Sequence, residues 1–107
     1  MPKNEFRVLL DEFRITSKEE NLIYDILDEV RKAIKDNELY SFSDYENKAK
    51  QVLYNKNKKD RTELMSLRYC AESFVSYCAV YEGRYIEEYK FLYNGFANHT
   101  ERINNLK

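Results

Sequence analysis

Side chains capable of acid–base or metal chemistry are few in this sequence, and they do not converge. His99 is the only histidine and stands among polar residues. Glu87 and Glu88 are adjacent, so on a helix they point about 100° apart and cannot serve one site. We therefore expect His99 to be a surface residue rather than a metal ligand or a general base.

One further acidic group has a spacing that would gather carboxylates. Asp25, Asp28 and Glu29 stand at i, i+3 and i+4, which places them on one face of a helix. The apolar face of that helix lies elsewhere, so we expect the three carboxylates to be solvated. The sequence contains no glycine-rich phosphate loop, nucleophile elbow or HExxH motif. These observations predict a protein that is not an enzyme and that needs no cofactor or metal.

The two cysteines, Cys70 and Cys78, are eight residues apart. On one helix this spacing separates them by about 12 Å, which is beyond the reach of a disulfide. With only one histidine, far along the chain, the pattern is not that of a zinc site. We expect both cysteines to be reduced and buried.

A ladder of tyrosines, four residues apart, is the pattern furthest from chance. Its members are Tyr77, Tyr81, Tyr85, Tyr89 and Tyr93. On a helix each step of four drifts by about 40°, so the ladder winds through about 160°. One neighbouring helix covers less than that, and tyrosine is enriched at binding hot spots. The ladder predicts a protein-binding surface; the alternative is that all five rings are ordinary core or boundary residues.

Charge is unevenly distributed along the chain despite a net charge of −1. Residues 1–47 hold seven Lys and Arg against twelve Asp and Glu, whereas residues 48–107 hold eleven against seven. A basic segment over 48–68 includes the candidate contacts Lys48, Lys56, Lys58, Lys59 and Arg61. One interpretation is a patch that binds nucleic acid or an acidic partner. The other is that acidic and basic helices pack side by side, and the overall charge argues against a protein that lives on DNA.

Composition favours helices as the elements that carry these residues. The chain has 107 residues, of which 43% are hydrophobic and 35% charged, with only two glycines and one proline. A β-rich domain would need more turn residues. The sequence predicts a single all-α domain over 1–107, a small antiparallel helical bundle of four to five helices. Without a signal peptide or an apolar run long enough for a membrane span, we expect a cytoplasmic protein with no membrane partner.

Apolar periodicity and capping signals locate the individual helices. The first is predicted over about residues 3–14. Thr16 with Glu19, and Ser17 with Glu20, have capping-box spacing before a second helix that ends near 36–37. Ser43 with Glu46 predicts the start of a third helix, which runs to about Tyr54. A short helix or a final turn is expected within 97–107.

Gly83 lies inside the most regular part of the pattern. It is suited to ending a helix, but apolar residues resume at once and the tyrosine spacing continues in phase. We therefore predict one long helix over about 61–94, roughly 50 Å in length. Asn94–Gly95 is the expected stop.

These features together favour a small protein that acts by binding another protein, as a regulator, inhibitor, adaptor or immunity-type factor. In size, helicity and composition the chain is similar to bacteriocin immunity proteins and small phage-encoded inhibitors. This resemblance includes no motif, so it assigns no residues. The alternatives are a nucleic-acid-associated regulator that uses the basic 48–68 segment, and a helical subunit of a larger assembly. A homodimer is compatible with each of them.

Overall fold

The computed structural model describes residues 4–54 and 64–106, and within them the chain forms helices and no strand. In chain order these are α1 (Glu5–Glu12), α2 (Ser17–Lys35), α3 (Phe42–Leu53), α4 (Leu64–Glu82), α5 (Ile86–Tyr93) and α6 (Ala97–Asn105). The helices pack into a compact globule, which confirms the predicted all-α bundle. The described residues contain six helices rather than four to five, because the predicted long helix is divided and the last helix is complete.

Side-chain caps fix where the first three helices begin. Asn4 Oδ1 accepts from the Arg7 amide, and Thr16 and Glu19 form the predicted capping box. The box predicted at Ser43 and Glu46 is wrong, since α3 begins two residues earlier, with Ser41 as N-cap and Asp44 as its partner. The carboxylate of Glu46 points inward instead and accepts a hydrogen bond from Tyr93 at 2.7 Å.

The predicted continuous helix over 61–94 is also wrong. α4 ends at Glu82, Gly83 and Tyr85 take φ values of +66° and +61°, and α5 begins at Ile86. A straight helix of that length would extend about 50 Å, whereas the longest dimension of the described structure is 38 Å. The turn folds α5 back onto α2, α3 and α4, which buries apolar side chains that a straight helix would leave in water. Residues 61–63 lie outside the described part.

The core is built around α4, whose neighbours are α1, α3 and α5. Leu67, Ala71, Phe74 and Cys78, which follow one another along α4 at spacings of three and four, are buried, whereas Tyr81, the next position of this pattern, is exposed. Phe74 meets Phe6 of α1 edge to face, and the buried Tyr45 hydroxyl of α3 donates to the Ala71 carbonyl at 2.6 Å. Cys70 and Cys78 are buried and form no disulfide, in agreement with the expectation of reduced thiols, and burial raises the pKa of Cys78 to about 11.

The predicted stop at Asn94–Gly95 is confirmed, because α5 ends at Tyr93 and Gly95 takes a φ of +88°. Helix α6 follows and lies against α4 and α5 through His99. Among the described residues, none of the helices has both the length and the apolar character needed to cross a bilayer.

Candidate protein-binding surface

The tyrosine ladder is divided by the turn at Gly83 into parts with different environments. Tyr77 and Tyr81 lie on α4, where their rings meet edge to face with centroids 5.5 Å apart. Tyr81 is 46% exposed and Tyr77 is partly buried. Tyr85 lies in the turn, whereas Tyr89 and Tyr93 are buried on α5.

Tyr89 and Tyr93 belong to the core and cannot contribute to an exposed contact surface. The Tyr93 hydroxyl donates to Glu46, and the Tyr89 hydroxyl is 2.5 Å from His99 Nδ1. Burial, with Tyr45 and the Glu46 carboxylate nearby, holds the pKa of Tyr93 far above its ordinary value. The turn at Gly83 thus separates the core rings on α5 from the outer rings, and the prediction of partner contacts stays applicable to Tyr77, Tyr81 and Tyr85.

Tyr85 takes part in a stack that joins the turn to α2. Its ring lies nearly parallel to that of Tyr24, with centroids 5.7 Å apart and an interplanar angle of 12°. The Arg31 guanidinium lies 5.0 Å from the Tyr85 centroid, and that of Arg84 lies 4.7 Å from the Tyr24 centroid. Burial and a hydrogen bond to Asp28 raise the pKa of Tyr85 to about 12. We call these four residues, Arg31, Tyr85, Tyr24 and Arg84, the tyrosine–arginine column.

The outer side of α4 carries the aromatic surface that the structure leaves open. Tyr69 is 55% exposed and Val80 is 37% exposed. At about 100° per residue, these two side chains with Tyr77 and Tyr81 span about 120° of the helix circumference, so they form one broad outer face. We call Tyr69, Tyr77, Val80 and Tyr81 the α4 surface. It extends about 18 Å along the helix. At one end the ring of Tyr69 approaches that of Phe13, with centroids 6.2 Å apart.

A polar cleft of about 270 Å³ adjoins the α4 surface, between α4 and α6. It is lined by Tyr69, Glu72, Ser73, Tyr77, Asn98, His99 and Arg102. Arg102 donates to the Ser76 hydroxyl at 2.9 Å, and its guanidinium lies 5.6 Å from the Tyr77 centroid. Partial burial and a hydrogen bond with Tyr69 raise the pKa of Tyr77. Tyr77 is therefore held in place by contacts with both α4 and α6.

His99 is buried, with 3% of its surface exposed, so its predicted surface position is wrong. Its Nε2 bonds to the Glu72 carboxylate and its Nδ1 to the Tyr89 hydroxyl. A carboxylate accepts, so Nε2 donates to Glu72, and Nδ1 shares a hydrogen bond with the Tyr89 hydroxyl. The physical reason for burial is the pattern Phe96, His99, Ile103 in the last helix, which places the imidazole on its inward face.

The polar groups near His99 form a hydrogen-bonded network, in which both ring nitrogens are bonded and which joins α4, α5 and α6. Among the residues that the structure describes, no three His, Cys, Asp or Glu side chains form a metal-binding group. The absence of enzymatic activity stays a prediction.

The other acidic candidates are dispersed among separate partners. Asp28 accepts from Tyr85, whereas Glu29 forms an ion pair with Lys48 at 2.6 Å. Glu87 is exposed and Glu88 is buried, as expected for adjacent residues on a helix, and Arg31 pairs with Glu88 at 3.0 Å.

Lys48 is the candidate of the basic segment whose surroundings the structure describes. Its ammonium bonds to Glu29 and lies 5.3 Å from the Tyr40 ring centroid. This pairing of α2 with α3 agrees with acidic and basic helices that lie side by side. The remaining candidates, Lys56, Lys58, Lys59 and Arg61, lie outside the described residues.

Sequence reasoning missed two members of the α4 surface, Tyr69 and Val80, and the cleft beside them. Tyr69 stands eight residues before Tyr77 and continues the ladder backwards, but Ser73 interrupts the run of tyrosines. Extending the spacing of four across a small residue would have found it. The contribution of Arg102 has no signal in the sequence, because it depends on how α6 docks.

Comparison of the chain with protein-family models found no match, and comparisons with curated proteins and with solved structures found no significant similarity.

Proposed function

We propose that this protein is a small protein-binding module whose partner docks on the α4 surface. The observation that supports the proposal is the exposure of Tyr69, Val80 and Tyr81 on one side of one helix. Exposed apolar residues are ordinary when scattered, but a contiguous group that includes several aromatic rings indicates an interaction site. Tyrosine and arginine are also the residue types that contribute most at such sites.

One residue of the α4 surface, Tyr77, is already held in place before a partner arrives, which favours affinity. The opposite side of α4 is anchored in the core by Phe74 and Cys78. On the outer side, Tyr77 is held by Tyr81 and Arg102. A side chain that is already ordered loses little conformational entropy on binding.

Charged residues next to the α4 surface supply a polar rim for it. Arg68 and Arg102 are exposed, and Glu72 borders the cleft. A standard interface buries about 800 Å² per partner, which exceeds what four side chains on one helix provide. The partner would therefore also contact α6, or α1 beside Tyr69.

The first prediction concerns the exposed tyrosines of the α4 surface. Replacing Tyr69 and Tyr81 with alanine should abolish capture of a partner from the native host, because hot-spot truncations weaken binding by about 2 kcal/mol or more each, or roughly 30-fold. The measurement is quantitative mass spectrometry of proteins retained by immobilised chains, followed by titration calorimetry with the partner identified.

Phe91→Ala is the matched control for this experiment. Phe91 is 40% exposed but lies on α5, beside Ile34 and Lys90, away from the α4 surface. The control should retain the partner fully. A partner that binds the wild type and the double variant equally, or that Phe91→Ala alone releases, would place the interface elsewhere.

The nucleic-acid alternative stays a prediction, and no observation on the described residues favours it. Lys48 is already paired with Glu29. Phosphate contacts would make binding strongly dependent on salt, so assays with DNA and RNA at about 50 and 300 mM salt would test it. Equally weak binding at both concentrations would rule it out.

A further inference from the structure

The connection between α4 and α5 is short and conformationally costly. It consists of Gly83, Arg84 and Tyr85, and both Gly83 and Tyr85 take the left-handed conformation. Glycine adopts that conformation readily, but a large aromatic residue does so rarely and with strain. No side chain among the described residues caps the start of α5. The turn is therefore a strained three-residue hinge.

The same residues fit a straight helix. The tyrosine spacing of four continues through the hinge from Tyr77 to Tyr93, and no proline or polar cluster interrupts it. A merged helix would provide intrahelical hydrogen bonds for the first amides of α5 and would release Tyr85 from its left-handed conformation. Local sequence preference and the folded chain thus disagree at this hinge.

Helices α5 and α6 are coupled to each other and would move together. Tyr89 bonds to His99, and the ring of Tyr93 meets that of Phe96 with centroids 5.5 Å apart. The pair docks on the rest of the chain through Arg31 with Glu88 and through Glu72 with His99. Straightening the hinge would carry α5 and α6 away from these docking sites and expose Tyr89 and Tyr93.

We infer that this hinge allows two copies of the chain to exchange α5 and α6, so that α4 and α5 become one helix in each copy. A second copy presents the same docking residues that the first copy vacates, and no new interface has to be created for the exchange. Short hinges under strain favour this kind of domain swap. In the monomer, the tyrosine–arginine column opposes opening, because it ties Tyr85 to α2.

The first test replaces Gly83 with alanine. A Cβ at Gly83 meets no described atom within 4 Å, so the substitution acts through backbone conformation. Alanine disfavours the left-handed hinge and favours the straight helix, and both effects act in each chain of a dimer. The association constant should rise by roughly a hundredfold or more, as measured by size-exclusion chromatography with light scattering after refolding at high concentration.

Gly95→Ala is the matched control, since Gly95 also has a positive φ and no described atom within 4 Å of a Cβ. It should lower stability without producing a dimer. Gly83→Asn, which tolerates the left-handed conformation, should stay close to the wild type. If Gly83→Ala remains monomeric at all concentrations, or if Gly95→Ala dimerises equally, the inference is wrong.

The second test separates an exchange from simple side-by-side association. In the Gly83→Ala background, Arg31→Glu and Glu88→Arg each place like charges at the contact of α2 with α5. When the two chains are refolded together, an exchanged heterodimer restores both opposite-charge pairs. Native mass spectrometry should therefore show the heterodimer well above the 1:2:1 statistical ratio. Statistical pairing or monomers would overturn the inference, whereas recovery of an otherwise insoluble Glu88→Arg chain only on mixing would support it.

Discussion

Tyr85 holds a backbone conformation that large side chains rarely adopt, and its neighbours show why this is tolerated. A left-handed residue of this size costs roughly 1–2 kcal/mol. The stacked ring of Tyr24 contributes about 0.5–1.5 kcal/mol, and the guanidinium of Arg31 contributes about 0.5–1 kcal/mol. The tyrosine–arginine column is thus of the right size to offset the strain, and it leaves little surplus with which to lock the turn.

His99 was expected at the surface, whereas the structure buries it. Its polar sequence neighbours, Asn98 and Thr100, suggested the surface, and both are indeed exposed. A helix of nine residues turns only its inward face to the core, so one histidine among polar residues can be buried. Phe96 and Ile103, three residues before and four residues after His99, could be recognised in the sequence as apolar. The partners of the imidazole could not be recognised, because Glu72 and Tyr89 lie on other helices.

We predict that His99→Phe lowers the free energy of unfolding by about 2–3 kcal/mol. The substitution leaves the buried Tyr89 hydroxyl and the Glu72 carboxylate without their partner. Urea unfolding followed by circular dichroism measures the loss. Tyr89→Phe in the same chain should reduce the additional cost, because it removes the stranded hydroxyl.

Asn98→Ala is the control, because Asn98 also bonds to Glu72, at 3.3 Å, but is exposed. It should change the free energy of unfolding by less than about 0.5 kcal/mol. Unfolding midpoints that coincide for His99→Phe and the wild type would show that the network is dispensable.

The beginning of α2 was predictable, because capping is a local interaction. Thr16 and Glu19 form their box as the spacing indicated. At α3 two serines compete two residues apart, and Ser41 is the one used. Its use turns Tyr45 and Glu46 into the core, where Tyr45 reaches the Ala71 carbonyl and Glu46 reaches Tyr93. The choice between the serines thus depends on tertiary contacts that spacing does not contain.

The corresponding prediction compares the two serines directly. Ser41→Ala should cost about 1 kcal/mol, because it removes the acceptor of the Asp44 amide. Ser43→Ala, inside the first turn and exposed, should be neutral or slightly stabilising. Thermal or urea unfolding of both variants gives the comparison, and a reversed order would restore Ser43 as the cap.

The broken helix shows the limit of periodicity at the scale of elements. The pattern through Gly83 is compatible with either geometry, and the folded body decides between them. α2, the longest helix available as a neighbour, has 19 residues, so it cannot cover a helix of 34 residues. Only by turning back does the second half of the pattern reach the core. Comparing the length of the predicted helix with the lengths of its neighbours would have indicated the break.

For the molecule as a whole, composition was enough to predict the helical class, because turn residues are scarce and apolar spacing is regular. The candidate binding surface was harder to predict from the sequence than the helical class. The binding hypothesis rested on five tyrosines, of which Tyr89 and Tyr93 lie in the core, whereas Tyr69 and Val80 were overlooked. The exposed side of α4 follows from the docking of α1, α3 and α5, which is a property of the assembled bundle.

The tyrosines also determine how the whole fold responds to alkali. The pKa of Tyr85 is raised to about 12, and burial also raises those of Tyr45 and Tyr93 well above their ordinary values. In the unfolded chain these groups ionise near pH 10, so their stabilising effect is complete below pH 10 and is lost as the pH rises toward 12. We predict a steep fall in the free energy of unfolding between about pH 10 and 12.

Tyr93→Phe should flatten this decline, because it removes one ionisable group, whereas Tyr54→Phe on an exposed ring should not. Urea unfolding at a series of pH values, with tyrosinate absorbance recorded in parallel, gives the measurement. Stability that stays constant up to pH 12 would contradict the burial of these hydroxyls.

The packing of α1 against α4 has a consequence for synthesis. Phe6 meets Phe74, and Asn4 donates to Glu82, a residue 78 positions further along the chain. A ribosome adds about 5–20 residues per second, so α1 waits roughly 4–14 s before α4 has been made. During that interval its apolar face has no permanent neighbour. Helix α1 is therefore translated well before the helix that buries it, and a chaperone would find a binding site on its apolar face during that interval.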